Sequence, residues 1–226
     1  MIDFYKNKKV VITGGAGGLG REMIRLLLSF DSKITAIVSP NSDIDGIECD
    51  IIRCDLGDIS EVNGLLWDKT FDDVDILINC AGVFLIKTLE KTTQDDFDYS
   101  MNVNVKSPFI ITKRCLKSMK EDGGLIINVG SSSSYNGSPT SGLYCISKHA
   151  LLGLNRSLHK EFKKYNIRSL MFSPGSIKTK MGKTDTSQDF NTFLDPKEVA
   201  EYILFSSKYN NEMFIEESRM NRISVV

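Results

Sequence analysis

The chain has 226 residues, 41% hydrophobic and 25% charged, with a net charge of -1 and a pI near 6.2. That length suits one sizeable domain, and the balanced charge offers no basic surface for nucleic acid or an anionic membrane. The longest apolar runs, such as ILIN (76–79) and LIINV (125–129), fall well short of the roughly 20 residues that cross a bilayer.

The opening stretch, MIDFYKNKKV, lacks the apolar core of a signal peptide, so a cytoplasmic protein is expected. KKVVIT (8–13) reads as a first strand, followed by a glycine cluster and the helix-like REMIRLLLSF (21–30). KITAIVS (33–39) is a second strand, 47–55 contains a third and VDILINCAG (74–82) is a fourth. A helical stretch covers about 94–121, and GLIINVGS (124–131) is a fifth strand. Helix resumes over 142–165, NIRSLMFS (166–173) is a sixth strand, and a helix follows over 196–207. EMFIE (212–216) is expected as a seventh strand. The apolar runs are continuous rather than alternating, as strands covered on both faces require. Alternating strands and helices predict an α/β, doubly wound Rossmann sheet of about seven mostly parallel strands with helices on both faces. No repeat or linker interrupts the pattern, so residues 1–226 are expected to form one domain.

TGGAGGLG (13–20) stands between the first strand and the first helix. Glycines let such a turn tighten, and a helix N-terminus offers free N–H groups and partial positive charge to a pyrophosphate. Dinucleotide binding is the expectation for a glycine turn in this position. Two Tyr-x-x-x-Lys pairs occur, Tyr5/Lys9 and Tyr144/Lys148, and spacing alone does not choose between them. The cysteines, at 49, 54, 80, 115 and 145, are odd in number and lack C-x-x-C spacing. They are expected to be reduced and mostly buried, with no metal site, and His149 and His159 to be structural or solvated.

Several stretches together resemble the short-chain dehydrogenase/reductase family. TGGAGGLG is similar to its glycine motif, CDL (54–56) to the Asp-Leu after its third strand, and NCAG (79–82) to its N-x-A-G. NVNVKSPF (102–109), INVGSSSS (127–134), YCISK (144–148) and SPGSIKT (173–179) resemble its asparagine, serine, Tyr-x-x-x-Lys and P-G-x-x-x-T segments, in family order. The family's serine lies thirteen residues before its tyrosine, which implies Ser131 and Tyr144 and sets Tyr5 aside; Ser132, Ser133 and Ser134 are the rivals. The resemblance implies a catalytic set of Ser131, Tyr144, Lys148 and Asn104. Tyr144 is expected to exchange a proton with a carbonyl or alcohol oxygen that Ser131 also hydrogen-bonds. Lys148 is expected to lower the phenol's pKa and hold the nicotinamide ribose, with Asn104 in a proton relay.

For the cofactor, the glycine turn implies Gly14, Gly18, Leu19 and Gly20. Asp55 and Leu56 are expected near the adenine, and Asn79, Ala81 and Gly82 along the ribose. Pro174, Gly175, Ile177 and Thr179 are expected towards the carboxamide, beside Tyr144 and Lys148. The second strand ends at Ser39 where a carboxylate for a ribose 2′-hydroxyl is usual, which leans towards NADP over NAD, although no Arg or Lys follows; Asp43 and Asp45 are the nearby carboxylates. The polar stretch 180–195 reads either as a short substrate loop, for a small, hydrophilic carbonyl or alcohol compound, or as a surface excursion. The family's habit of pairing through two helices implies a homodimer or homotetramer. The tail lacks the family's usual aspartate-glycine-glycine ending, which sets its C-terminal contacts apart. Two rival readings are a non-catalytic nucleotide-binding regulator and a sugar-nucleotide-modifying member of the superfamily. The second calls for a larger region than the fewer than fifty residues after Ile177.

Overall fold

A computed structural model describes residues 2–65, 69–209 and 213–223. In chain order these form α1 (Ile2–Tyr5), β1 (Lys9–Thr13), α2 (Gly18–Ser29), β2 (Lys33–Val38), β3 (Asp50–Arg53), α3 (Ile59–Leu65) and β4 (Ile76–Asn79). There follow α4 (Gln94–Met101), a π turn (Asn102–Lys106), α5 (Ser107–Asp122), β5 (Gly124–Val129), α6 (Gly142–Phe162), β6 (Ile167–Pro174), α7 (Pro196–Ser207) and β7 (Glu217–Met220). The seven strands make one all-parallel sheet in the order β3-β2-β1-β4-β5-β6-β7. The doubly wound reading therefore holds. The chain reverses direction across the sheet between β1 and β4, and ligand crevices form at the carboxyl ends of strands at such a point.

Each strand alternates its apolar side chains between two buried layers. Val10, Ile12, Ile34, Ala36, Ile76 and Ile78 face α2 and α7, which bring Met23, Leu27, Ile203 and Leu204. Val11, Ile37, Leu77 and Ile126 face the other layer, with Ile111, Cys115 and Met119 of α5 and Leu158 and Phe162 of α6. Both faces are thus covered, which is why the strands read as unbroken apolar runs.

Local chemistry starts and stops these elements. Thr93 and Asp96 form a reciprocal capping box on α4. The Asp195 carboxylate accepts the Lys197 N–H at 2.7 Å and Pro196 occupies the first turn of α7. Tyr5 is wholly buried; its hydroxyl donates to the Leu204 carbonyl at 2.7 Å and so closes the end of α7. Lys9 instead ion-pairs with Asp73, so the Tyr5/Lys9 pair is a core residue and a surface residue.

Three expectations need revision. The seventh strand is Glu217–Met220, not 212–216, of which 212 lies outside the described residues. Phe214 stacks on the His159 ring, centroids 4.2 Å apart, rather than entering the sheet. Pairing of Met171–Pro174 with 217–220 sets the strand's place. The helical stretch 94–121 is interrupted by the π turn at 102–106. The short α3 was not anticipated; Val62 is its one buried residue.

Candidate active site

The carboxyl ends of β1, β2, β4, β5 and β6 open onto one cleft of about 1040 Å³. Its floor is the glycine turn. Gly14 has φ +73°, and a β-carbon there would stand 2.7 Å from the Ala81 backbone, so only glycine lets β1 and β4 meet so closely. The Thr13 hydroxyl accepts the N–H groups of Cys80 and Ala81 at 3.2 Å each, tying the two turns together. A β-carbon on Gly18 would stand 2.7 Å from the Thr179 methyl, so the start of α2 lies against the segment after β6. The first-turn N–H groups of α2 have no partner within the helix, and they face the cleft through Gly18, Leu19 and Gly20. An extended diphosphate fits that cradle.

At the other end of the cleft, α6 presents Tyr144 and Lys148 one turn apart, as residues four apart on a helix must be. The Ser131 hydroxyl lines the cleft beside the Tyr144 phenol, near enough to oppose the rise in its pKa. Ser131 Oγ accepts the Ser133 N–H at 3.1 Å, while Ser134 is buried and caps the Ser131 N–H through its own hydroxyl at 3.2 Å. Lys148 Nζ lies 5.7 Å from the Tyr144 ring centroid and donates to the Val129 carbonyl at 3.0 Å. Phe84, which sequence reasoning did not single out, packs edge-on against the Tyr144 ring at 4.8 Å.

The electrostatics depart from the expected lowering of the phenol's pKa. Burial pushes Tyr144 up to about 12, and the Ser131 hydroxyl beside it offsets only part of that. Burial also brings Lys148 down to about 8, because a desolvated ammonium is disfavoured. The adjacent Cys80 thiol is itself pushed up to about 12 by burial, so it stays protonated at neutral pH and lends the lysine no negative charge. Proximity of Tyr144 and Lys148 was legible from spacing; the desolvation both groups suffer was not.

Asn104 sits in the π turn and is fully buried. Its Oδ1 accepts the Val83 N–H at 2.9 Å, and its Nδ2 donates to the Val83 carbonyl at 3.0 Å and to Ser147 Oγ at 2.9 Å. Ser147 in turn donates to the Tyr144 carbonyl at 2.8 Å. Asn104 thereby joins the loop after β4 to the turn of α6 that carries Tyr144, with its carboxamide committed to those partners. A β-carbon on Gly82 would come within 3.3 Å of Asn104 Oδ1 and 3.5 Å of Lys148 Nζ, so Gly82 keeps that corner open.

Among the other expected cofactor residues, Ser39, Asp55, Leu56 and Ala81 line the cleft, as do Pro174, Gly175, Ile177 and Thr179. The Asp55 carboxylate also accepts the Gly57 N–H at 2.8 Å. The Asn79 side chain is not among these. It is buried beneath α5 and donates to Asn128 Oδ1 at 2.9 Å, within a network that reaches Asn155 and Ser169. Strand alternation gives the reason: Asn79 shares its face with Leu77.

Arginine does border the Ser39 loop, although none follows it in sequence. Arg21, directly after the glycine turn, donates to the carbonyls of Asp43 and Asp45 at 2.5 Å each and lies 3.8 Å from the Asp43 carboxylate. From β3, Arg53 donates to the Pro40 and Ser42 carbonyls at 2.6 and 3.1 Å. Arg21, Ser39, Ser42 and Asp43 all line the cleft.

The doubly wound sheet, the glycine cradle and the Ser-Tyr-Lys cluster lining the same cleft together define a nicotinamide-dependent oxidoreductase. The family model for short chain dehydrogenase matches residues 8–189, and the chain belongs to that family. It is 33% identical over 187 residues to an uncharacterized oxidoreductase of Thermotoga maritima, spanning 77% of this chain and 74% of the relative. Carbonyl reductase (NADPH) 2 of Sus scrofa is 31% identical over 196 residues, 81% of this chain and 77% of its own. Among solved structures, 4-hydroxyisoleucine dehydrogenase complexed with NADH is similar with a TM-score of 0.82 and 25% identity, covering 95% of this chain and 97% of that one. The family binds NAD(P) and acts on small molecules. Among the described residues, no helix is long and apolar enough to cross a membrane.

Proposed function

We propose that the protein interconverts a small ketone or aldehyde and the corresponding alcohol, using Ser131, Tyr144 and Lys148 as its catalytic side chains and Asn104 to position them. The observation that carries this reading is the convergence of Ser131, Tyr144 and Lys148 on one cleft with the glycine turn, with the Lys148 ammonium 5.7 Å from the Tyr144 ring centroid. A nicotinamide bound there supplies or accepts the hydride. In the reducing direction Tyr144 delivers its hydroxyl proton to the substrate oxygen, and the Ser131 hydroxyl donates a second hydrogen bond to that oxygen as charge develops on it. Lys148 orients the ribose and supplies positive charge beside the phenol. The glycine turn holds the diphosphate, Asp55 and Leu56 flank the adenine, and Ala81, Gly82, Ile177 and Thr179 line the path to the nicotinamide.

We assign NADP as the preferred form. Support comes from the absence of a carboxylate at Ser39, from the guanidinium groups that border its loop, and from the NADPH-dependent relative in Sus scrofa. Titration with both reduced nucleotides tests this, with NADPH expected to bind about tenfold tighter, the equivalent of one ionic hydrogen bond; equal affinity overturns it. The unit 1–226 is proposed as one cytoplasmic domain whose loop 180–195 borders the substrate. It is proposed to pair with a second copy through α5 and α6, where Phe109 and Ile146 stand exposed.

The decisive experiment is a screen of carbonyl compounds and alcohols with both nucleotides, followed by Tyr144→Phe on any compound turned over. The variant should keep nucleotide binding and lose most turnover. Parental rates in that variant would remove Tyr144 from the chemistry.

A further inference from the structure

The substrate loop is not a free excursion. Within it, Gln188 Nε2 donates to the Asp185 carboxylate at 2.5 Å, and Gln188 Oε1 accepts from Ser176 Oγ at 3.2 Å. Asp185, Gln188 and Phe193 all line the same cleft as Tyr144. One side chain from outside the loop reaches three of its residues. Arg222 Nη2 donates to Gln188 Oε1 at 2.5 Å and Nη1 to Thr192 Oγ1 at 2.8 Å, while the guanidinium stands 5.1 Å from the Phe193 ring. Arg222 follows β7, whose place is set by pairing with β6 and by the Gly175 N–H donated to the Met220 carbonyl at 2.7 Å. It is not itself a wall of the cleft. A planar fork with two donors can hold both Gln188 and Thr192, which the single ammonium of a lysine cannot match in geometry.

We propose that Arg222 is a positioning residue that clamps Gln188, Thr192 and Phe193 from the strand side and so fixes the substrate-facing wall of the cleft. The proposal extends the oxidoreductase reading above, but one of its tests does not depend on it. Trypsin digestion of the full chain reads cleavage after Lys180 and Lys183 in the loop. Arg222→Met should cut there about tenfold faster than the parent, the equivalent of one charge-assisted hydrogen bond, with Arg222→Lys between the two. Unchanged cleavage, or acceleration spread evenly along the chain, overturns the clamp. The second test follows oxidation of NADPH by ethyl acetoacetate. Arg222→Met should raise the KM for the ester several-fold while kcat changes less than about twofold and NADPH affinity is kept, with partial recovery in Arg222→Lys. An unaltered KM overturns the proposal. If the parent leaves ethyl acetoacetate untouched while the trypsin result stands, the choice of substrate fails and the clamp survives.

Discussion

Lys148 carries a folding cost that pH should reveal. The side chain is 3% exposed, and its pKa falls from 10.5 in the unfolded chain to about 8 in the folded one. Between those values the unfolded state binds more protons, so folding gains stability as pH rises through about 8 towards 10.5. From about pH 7 to about pH 9.5 that linkage amounts to roughly 2 kcal/mol for one such group. Lys148→Met removes it. The variant also leaves the Val129 carbonyl without its 3.0 Å donor, but that loss is the same at both pH values and cancels from the comparison. Buried thiols and the Tyr144 phenol are common to both chains. Urea unfolding of parent and variant without nucleotide, at the two pH values, should show the parent gaining roughly 2 kcal/mol on the variant as pH rises. Parallel pH dependence in the two proteins would refute the claim that this ammonium is desolvated.

Gly14→Ala should abolish nucleotide binding and destabilise the fold by several kcal/mol, since a β-carbon meets the Ala81 backbone at 2.7 Å and φ is +73°; dye-monitored melting with and without NADPH measures both. Tyr5→Phe should cost about 1 kcal/mol by removing the buried hydroxyl's bonds to the Leu204 carbonyl and Ser207 Oγ, without altering turnover. Asp195→Ala removes the cap of α7 and should cost about 1 kcal/mol in chemical denaturation.

Much of this architecture was legible in the sequence for a physical reason. β1, β4 and β5 are buried on both faces, so their signal is the run itself. The glycine turn announced itself because close backbone approach excludes other residues. β7 was harder, because Glu217–Met220 is a partly exposed edge whose residues carry no apolar pattern. Glu217 is placed instead by Arg156 and Tyr135, partners far away in the chain. Asn79 had a readable signal that the motif obscured, since counting by twos from Leu77 turns it under α5. Arg21 and Arg53 could not be connected with Ser39 by linear order, because the fold joins three separate segments there.

The widened turn at 102–106 makes the site sensitive to arithmetic as well as to chemistry. The wider turn absorbs about one extra residue, so removing a single residue from it would let α4 and α5 run together in ordinary α register, with the helix downstream keeping its facing and only the turn itself rebuilt. The amide at 104 would swing off Val83 with no change in composition near Tyr144. A one-codon deletion in this helix should therefore injure the enzyme more deeply than most substitutions along it.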